Sequence, residues 1–425
     1  MSHFALIAPP YPSHFAAFQA LAGQLLARGH QVSFLHQAQA RRWVSDRRVG
    51  FYPVGDGLLP VDNLDQALRL AANPSGPLRL HRLIRQLAAT TQMLCETLPP
   101  ALRMHQVDAV LCDQMEPAGA LAAEICALPW VSVACALPIN REAGLPLPVM
   151  PFAHGLHPRW YDGSAQVHDW LMKPVQQVLE RTCSQHGLAP RRAAHECLSP
   201  LAELSQTLHA LDFPRQGLPA HFHAVGPLRG NAVQAPPSWA ATSGKPLVFA
   251  SLGTLQGHRF DIFTRIAKAC RLLDVDLLLA HCGGLDQAQQ QRLRELGATY
   301  VTDFAPQQWA VQQADVVVCH GGLNTVLDAV ASHTALLVMP IAFDQHGVAA
   351  RVRHHGLGLT LSRRASVASI GAALRDLLGQ RRHGNVALEH ELKHCGGAAK
   401  AADIIEAAVS GGRPVLREAD ACSMT

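Results

Sequence analysis

Short apolar runs rich in β-branched residues alternate along the whole chain with stretches whose apolar residues recur at helical spacing. That alternation predicts parallel α/β units. HFALIAPP (3–10), HQVSFLH (30–36), VDAVLCDQ (107–114) and PWVSVAC (129–135) predict the strands of a first half. PLVFASLGT (246–254), VDLLLAHCGG (275–284), TYVTDFAPQ (299–307), ADVVVCHGG (314–322) and ALLVMPIAF (335–343) predict those of a second. Between them GPLRGNAVQAPPSWAATSGKP (226–246) is rich in Pro, Gly, Ala and Ser without periodicity and reads as a linker. The expected fold is α/β: two doubly wound, Rossmann-like domains facing each other across a cleft. Their expected limits are 1–225 for the first, a linker at 226–245, 246–410 for the second, and a tail at 411–425. Ligands of such sheets sit beyond the carboxyl ends of the strands. The loops after HFALIAPP, VFASLGT, YVTDFAP, VVVCH and LLVMPIAF should therefore build the site. Phe15, Phe18, Leu21 or Ala22, and Leu25 mark one face of a first helix that stops at Gly29, with His14 at its beginning.

Composition narrows the classes further. A length of 425 residues suits two domains, and 48% apolar with 16% charged residues suits a packed globular chain. A net charge of +4 without a polybasic run gives no case for nucleic acid. The eleven cysteines are odd in number, scattered and free of any C-x-x-C pair. They read as small buried hydrophobes in a reducing cytosol rather than as a zinc or redox motif. MSHFALIAPPYPSHF lacks the basic leader and apolar core of a secretory signal, and ICALPWVSVACALPI (125–139) is too interrupted by prolines to span a bilayer. A cytoplasmic protein is expected, with at most a peripheral contact at the inner face of the membrane.

The densest chemistry lies in HGGLNTVLDAVASHTALLVMPIAFDQ, from His320 to Gln345. A strand ending in two glycines lets the backbone approach a ligand closely. Asn324 and Thr325 then fall at a helix start, where free N–H groups and the dipole favour a phosphate, and His320 can donate to the same group. Asp328 follows Asn324 by one turn, and a carboxylate there can accept two vicinal hydroxyls. Phosphate plus diol suggests a nucleotide sugar; the plainer alternative is a simple strand-to-helix turn with an exposed acid. Ser251-Leu252-Gly253-Thr254 closes the first strand of the same half with a second hydroxyl-and-glycine turn. Asp303-Phe304-Ala305-Pro306-Gln307 closes the third with an aromatic face and an amide, suited to a base and a ribose, or else a core Phe before a Pro turn.

FAPQQWAVQQADVVVCHGGLNTVLDAVASHTALLVMPIAFDQ resembles the signature box of the UDP-dependent glycosyltransferases, without a gap from Phe304 to Gln345. PYPSHF with the following LAGQLLARGHQVSFL is also similar to that family, and the whole chain is most similar to its bacterial members that glucosylate carotenoids. The resemblance implies the GT-B fold. It implies that Phe304 stacks on uracil, with Ala305 bonding the base; that Gln307 and Asp328 hold the ribose; and that Ser251, Thr254, His320, Gly322, Asn324 and Thr325 hold the diphosphate. Asp344 and Gln345 would bind the sugar, glucose in members with Gln at that position. Phe304 stands where plant members have Trp, and Leu323 where they have another Trp. UDP-glucose would be a co-substrate, with no metal or other cofactor required.

His14 is the candidate general base, because the positive end of a helix disfavours an imidazolium. Asp113, ending VDAVLCD, could bond its other ring nitrogen and fix the tautomer. By the resemblance these two are the catalytic pair. The resemblance implies a single inverting displacement at C1 of glucose by a hydroxyl of an apolar acceptor; that the acceptor is zeaxanthin rests on the overall likeness alone, with macrolides, sterols and flavonoids as rivals. A competing class is a non-enzymatic nucleotide or lipid binding protein. His390-Glu391-Leu392-Lys393-His394 matches the H-E-x-x-H zinc motif, but Lys393 sits inside it and Cys395-Gly396-Gly397 ends its helix at once. Neither G-x-x-x-x-G-K-[ST] nor G-x-G-x-x-G occurs, which disfavours P-loop and NAD chemistry. RLHRLIRQL (79–87) is amphipathic; it can pack on its own domain or lie at an anionic membrane.

Overall fold

The computed structural model describes residues 1–60, 63–74, 76–230, 244–379 and 385–417. Each expected half carries one all-parallel sheet. The first runs β1 (His3–Ile7), β2 (Gln31–His36), β3 (Gly50–Pro53), β4 (Ala109–Asp113), β5 (Trp130–Ala134), β6 (Glu203–Ser205) and β7 (Phe222–Ala224), in spatial order β3-β2-β1-β4-β5-β6-β7. The second runs β8 (Leu247–Ser251), β9 (Asp276–Ala280), β10 (Tyr300–Thr302), β11 (Val316–Cys319), β12 (Ala335–Val338) and β13 (Gly358–Thr360), in order β10-β9-β8-β11-β12-β13. In both sheets the order reverses next to the first strand, β1 or β8, so a crevice opens at the carboxyl ends of β1/β4 and of β8/β11. His14, Asp113, Ser251 and His320 all lie at or just beyond those ends.

Fully buried strands explain why the runs are apolar on both faces. Phe4 to Ile7 and Val316 to Cys319 are each at most 1% exposed. The sequence reading missed β3, β6, β7 and β13, which are three or four residues long at the outer parts of the sheets and too short to show a period. The first helix, Pro12–Ala27, buries Phe15, Phe18, Leu21, Ala22 and Leu25 as expected, and the chain turns after it at Gly29 with φ +84°.

Two segments cross between the lobes. Leu208 and Leu211, between β6 and β7, are buried in the second lobe's core with Phe249 and Leu327. In return, helix Gly397–Gly411 buries Ala398, Ala401, Ala402, Ile404, Ile405 and Ala408 in the core that holds Phe4, Phe18 and Leu25. The expected boundary at 410 is corrected to that extent: this helix belongs by packing to the first lobe. Its polar face is clasped by Arg28, which pairs with Asp403 at 2.7 Å and with Glu406, and by His30, 2.8 Å from Glu406. Most of the expected linker, 231–243, and the end of the expected tail, 418–425, lie outside the described residues.

The stretch 79–87 lies in helix Pro77–Met104 with Leu83 and Ile84 buried and Arg79, Arg82 and Arg85 exposed. Leu83 and Ile84 pack on their own domain, while Leu80 and Leu87 are half-buried. No described helix is long and apolar enough to cross a membrane.

A buried ion triad fixes the lobes beside the cleft. Asp212 of the first lobe accepts from Arg215 Nε and from Arg351 Nε, each at 2.7 Å, and Arg351, on helix Gln345–His354, lies 4.4 Å over the Phe213 ring. Arg351 is 1% exposed and Asp212 6%, so removing the acid leaves uncompensated buried charge. Asp212→Ala is expected to cost about 3–5 kcal/mol in denaturant unfolding. A loss below about 1 kcal/mol, the range of exposed pairs, would contradict the triad's role.

Candidate active site

In the first lobe, Pro12 opens the helix that carries His14 in its first turn, where a proline costs no hydrogen bond. His14 Nδ1 lies 2.7 Å from Asp113 Oδ2 at the end of β4, and Asp113 is fully buried. An ionised carboxylate only accepts, so Nδ1–H donates and Nε2 keeps its lone pair. The other oxygen, Asp113 Oδ1, accepts from the Met115 backbone N–H at 2.8 Å, which locks the carboxylate in place. Burial pulls the His14 imidazole down, but the charge and hydrogen bond of Asp113, with Asp344 behind, outweigh it and hold the group above its ordinary 6.5. The net direction is opposite to that expected from the helix start alone. A charge in direct contact outweighs a half-charge at a helix end.

Cys135 completes a set with His14 and Asp113 whose donor atoms lie within 4.8 Å of one another, the one group of metal-ligand type among the described residues. Burial and the Asp113 charge push the Cys135 thiol well above its ordinary range, so it is no thiolate, and Nδ1 is already committed to Asp113. In the H-E-x-x-H segment both Glu391 oxygens accept backbone N–H groups, from His209 and Ala210, at 2.7 Å each, so the carboxylate that would serve as that motif's base is committed to the chain's own backbone.

In the second lobe, the turns after β8 and β11 meet. Ser251 ends β8 and is buried, Thr254 is exposed on the single turn Gly253–Gln256, and His320 follows β11. A Cβ on Gly253 would lie 2.6 Å from His320 Cε1, and one on Gly322 2.7 Å from the same atom. These two glycines make the space in which the imidazole lies, and Gly253 also has φ +74°. Gly322 caps helix Leu323–Ala331, which puts Asn324 and Thr325 in its first turn with their free N–H groups. Burial drives His320 down to about 4, so it is uncharged at neutral pH and can donate only as a neutral ring. His320 Nδ1 and Asn324 Oδ1 are buried without partners within the protein and are free to bond a polar group from outside it.

Phe304 stands 67% exposed after β10, a bare aromatic face, with half-buried Ala305 beside it. Gln307, at the start of the next helix, donates to Asp328 Oδ2 at 2.6 Å. Asp328 is 3% exposed, not the exposed acid of the plainer reading, and its other oxygen pairs with Arg229. Sequence reasoning missed Arg229. The available signal was that it is the sole charged residue between 226 and 244.

The two lobes touch at the turn after β12. Phe343 takes a left-handed φ of +56°, its ring lies 6.1 Å from Tyr11, and Asp344 Oδ2 accepts from the Leu137 backbone N–H at 3.4 Å. A non-glycine residue in that conformation marks a turn held for its geometry. Burial pushes the Asp344 carboxyl up. Gln345 is buried, and its side-chain oxygen accepts from the Ile341 and Ala342 N–H groups at 2.9 and 2.8 Å. Its amide therefore braces the turn from within, and the NH2 end is the one that can donate to a ligand. The His14 ring lies 5.8 Å from Tyr11, which in turn lies 6.1 Å from Phe343, and a Cβ on Gly321, next to His320, would lie 3.0 Å from the Gln345 carbonyl oxygen, so the turns after β1, β11 and β12 are neighbours.

Residues 260–407 match the Glycosyltransferase family 28 C-terminal domain. The chain is 47% identical to a zeaxanthin glucosyltransferase of Pantoea ananas over 98% of each chain. It is 44% identical to one of Pseudescherichia vulneris over 98% of this chain and all of that one. Among solved structures it is similar to the glycotransferase of kitacinnamycin, with TM-score 0.75 at 19% identity over 96% of this chain and 99% of that one. It is also similar to the glycosyltransferase VinC in complex with dTDP, with TM-score 0.66 at 19% identity over 96% of this chain and all of that one.

An NMR titration of the histidines checks the electrostatics. His14 should titrate above 6.5 and fall when Asp113→Asn removes the charge, while His320 should titrate near 4. A His14 value unmoved by Asp113→Asn would refute the dyad as the cause.

Proposed function

The chain belongs to the GT-B glycosyltransferases, and we propose that it moves glucose from UDP-glucose to the hydroxyls of zeaxanthin with inversion at C1. The observation that supports this reading is a carboxylate-anchored imidazole in one lobe, linked through Tyr11 to Phe343 and Asp344 of the other, together with a strand–helix turn in that second lobe that holds unpartnered polar atoms. The acceptor is taken from the relatives at 44–47% identity. The donor follows from the match of Phe304 to Gln345 to the family's box.

In the proposed complex the uracil stacks on exposed Phe304 and bonds the backbone at Ala305. The ribose hydroxyls bond Asp328 and Gln307. The diphosphate lies on the N–H groups at Asn324 and Thr325, with His320, Gly322, Ser251 and Thr254 around it. The glucose hydroxyls reach Asp344 and the NH2 of Gln345. The zeaxanthin hydroxyl attacks C1 from the opposite face as the bond from C1 to the diphosphate oxygen breaks. His14 Nε2 takes the hydroxyl proton, the imidazolium is held by Asp113, and the electron pair leaves on UDP. The helix start and the neutral His320 stabilise the charge that gathers on the leaving group, which is the service a metal would otherwise provide. The product is a β-glucoside if the donor is the usual α-linked sugar nucleotide.

Incubation with UDP-glucose and zeaxanthin, followed by mass analysis, should give the mono- and diglucosides together with UDP. Ligand binding without UDP release would favour a binding protein, and transfer only to macrolides, sterols or flavonoids would replace the acceptor. His14→Ala should lower turnover by about 10²–10⁴-fold, the usual worth of a general base, with UDP affinity unchanged. Near-normal turnover in that variant would remove His14 from the chemistry. Because the free base is the working form and its pKa is raised, kcat/KM should fall as pH drops through a value above 6.5. Phe304→Ala should weaken UDP by about tenfold, as loss of one stacked base does.

A further inference from the structure

Arg229 joins the two lobes at the nucleotide site. Its backbone belongs to the first lobe: Val225 and Leu228 are buried in that lobe's core, and the Val225 carbonyl accepts from the Gly397 N–H at 2.7 Å. Gly226, at φ +76°, packs so closely on Cys395 that a Cβ there would lie 2.2 Å from the sulfur. The next residue after this anchored stretch sends its side chain into the other lobe. Arg229 Nη2 donates to the Asn324 carbonyl at 2.8 Å, and Nη1 pairs with Asp328 Oδ1. Both contacts fall on helix Leu323–Ala331, on the face that the proposed donor would use.

We infer that Arg229 is a positioning residue for the nucleotide sugar, acting through Asp328. An aspartate that is 3% exposed, on the same helix as the diphosphate cradle, would by itself repel the anion the cradle is built for. The guanidinium cancels that charge, and its planar fork fixes the carboxylate between Arg229 and Gln307, with lone pairs left for two hydroxyls. His320 does not supply this charge, since it is neutral at ordinary pH. The cation arrives from the first lobe, so donor affinity depends on the two lobes holding their present relation. The inference rests on the proposed donor site and adds to it a residue from outside the family box.

The test is calorimetric titration with UDP together with steady-state kinetics, on the full chain and on Arg229→Met, Arg229→Lys, Asp328→Asn and the double variant Arg229→Met/Asp328→Asn. Arg229→Met should raise the UDP Kd and the donor KM by about tenfold or more, the worth of one charge-assisted bond, with kcat changed by less than about threefold. Arg229→Lys should recover part of the loss, because it restores charge without the fork. In the Asp328→Asn background the same change should cost less than about twofold, because the partner charge is already gone. A donor KM unchanged in Arg229→Met, an equal loss in both backgrounds, or a fall in kcat alone would overturn the inference. If Asp328→Asn itself leaves UDP binding untouched, the donor site has been misplaced and the underlying reading fails first. A general folding defect would lower kcat and the melting temperature together without the split between KM and kcat.

Discussion

The buried bond between Asp113 and His14 is the interaction on which the rest of the structure converges. A carboxylate with no exposure survives at a strand end only if its charge is met, and here a backbone N–H and an imidazole N–H meet it. The same bond fixes which ring nitrogen faces the cleft and raises the affinity of that nitrogen for a proton. In the proposed reaction the second lobe receives the leaving group that this proton transfer releases. The second lobe offers a helix start, a neutral imidazole and two glycines that let ring and backbone come close.

Two doubly wound sheets produce this opposition almost automatically, since each presents its crevice at the carboxyl ends of its first and fourth strands. What they do not provide is a fixed distance between the crevices. That comes from the exchanged segments, from the Asp212–Arg351 pair, and from the contact of Asp344 with the Leu137 backbone. A Cβ on Gly347 would lie 2.0 Å from the Pro148 carbonyl oxygen, so the first lobe's loop sits directly on the helix that follows Asp344. The lobe that carries His14 and the turn that carries Asp344 are therefore joined by packing as well as by the interlobe connection.

The long central strands, the first helix and the residues from Phe304 to Gln345 were legible in the sequence because each carries a local signal: an apolar run, a helical period, or glycines and polar residues at fixed spacing. β3, β6, β7 and β13 were not, because three or four residues are too few to display a period of two and they lack the flanking motif that marked the equally short β10. The docking of Gly397–Gly411 on the first lobe was hidden for a different reason. Its Ala and Ile face is apolar in any packing, and nothing local says which core it joins. Arg229 stands out only as the one charge in an uncharged segment, and nothing in that segment says that its side chain reaches Asp328. The direction of the His14 shift needed the Asp113 distance, since burial and charge oppose one another and only geometry decides between them. Gln345 shows the same limit: spacing placed it at the site, but not that its oxygen braces the turn.

The central claim is that the imidazole of one lobe and the anion cradle of the other serve the same bound molecule. A crystal structure with an intact, non-transferable UDP-glucose analogue tests it most directly. The account predicts the diphosphate on the Asn324–Thr325 N–H groups and the sugar between Asp344 and His14, with Nε2 of His14 facing an open path to C1. A diphosphate bound elsewhere, or a sugar turned so that His14 cannot reach a nucleophile approaching C1, would contradict it.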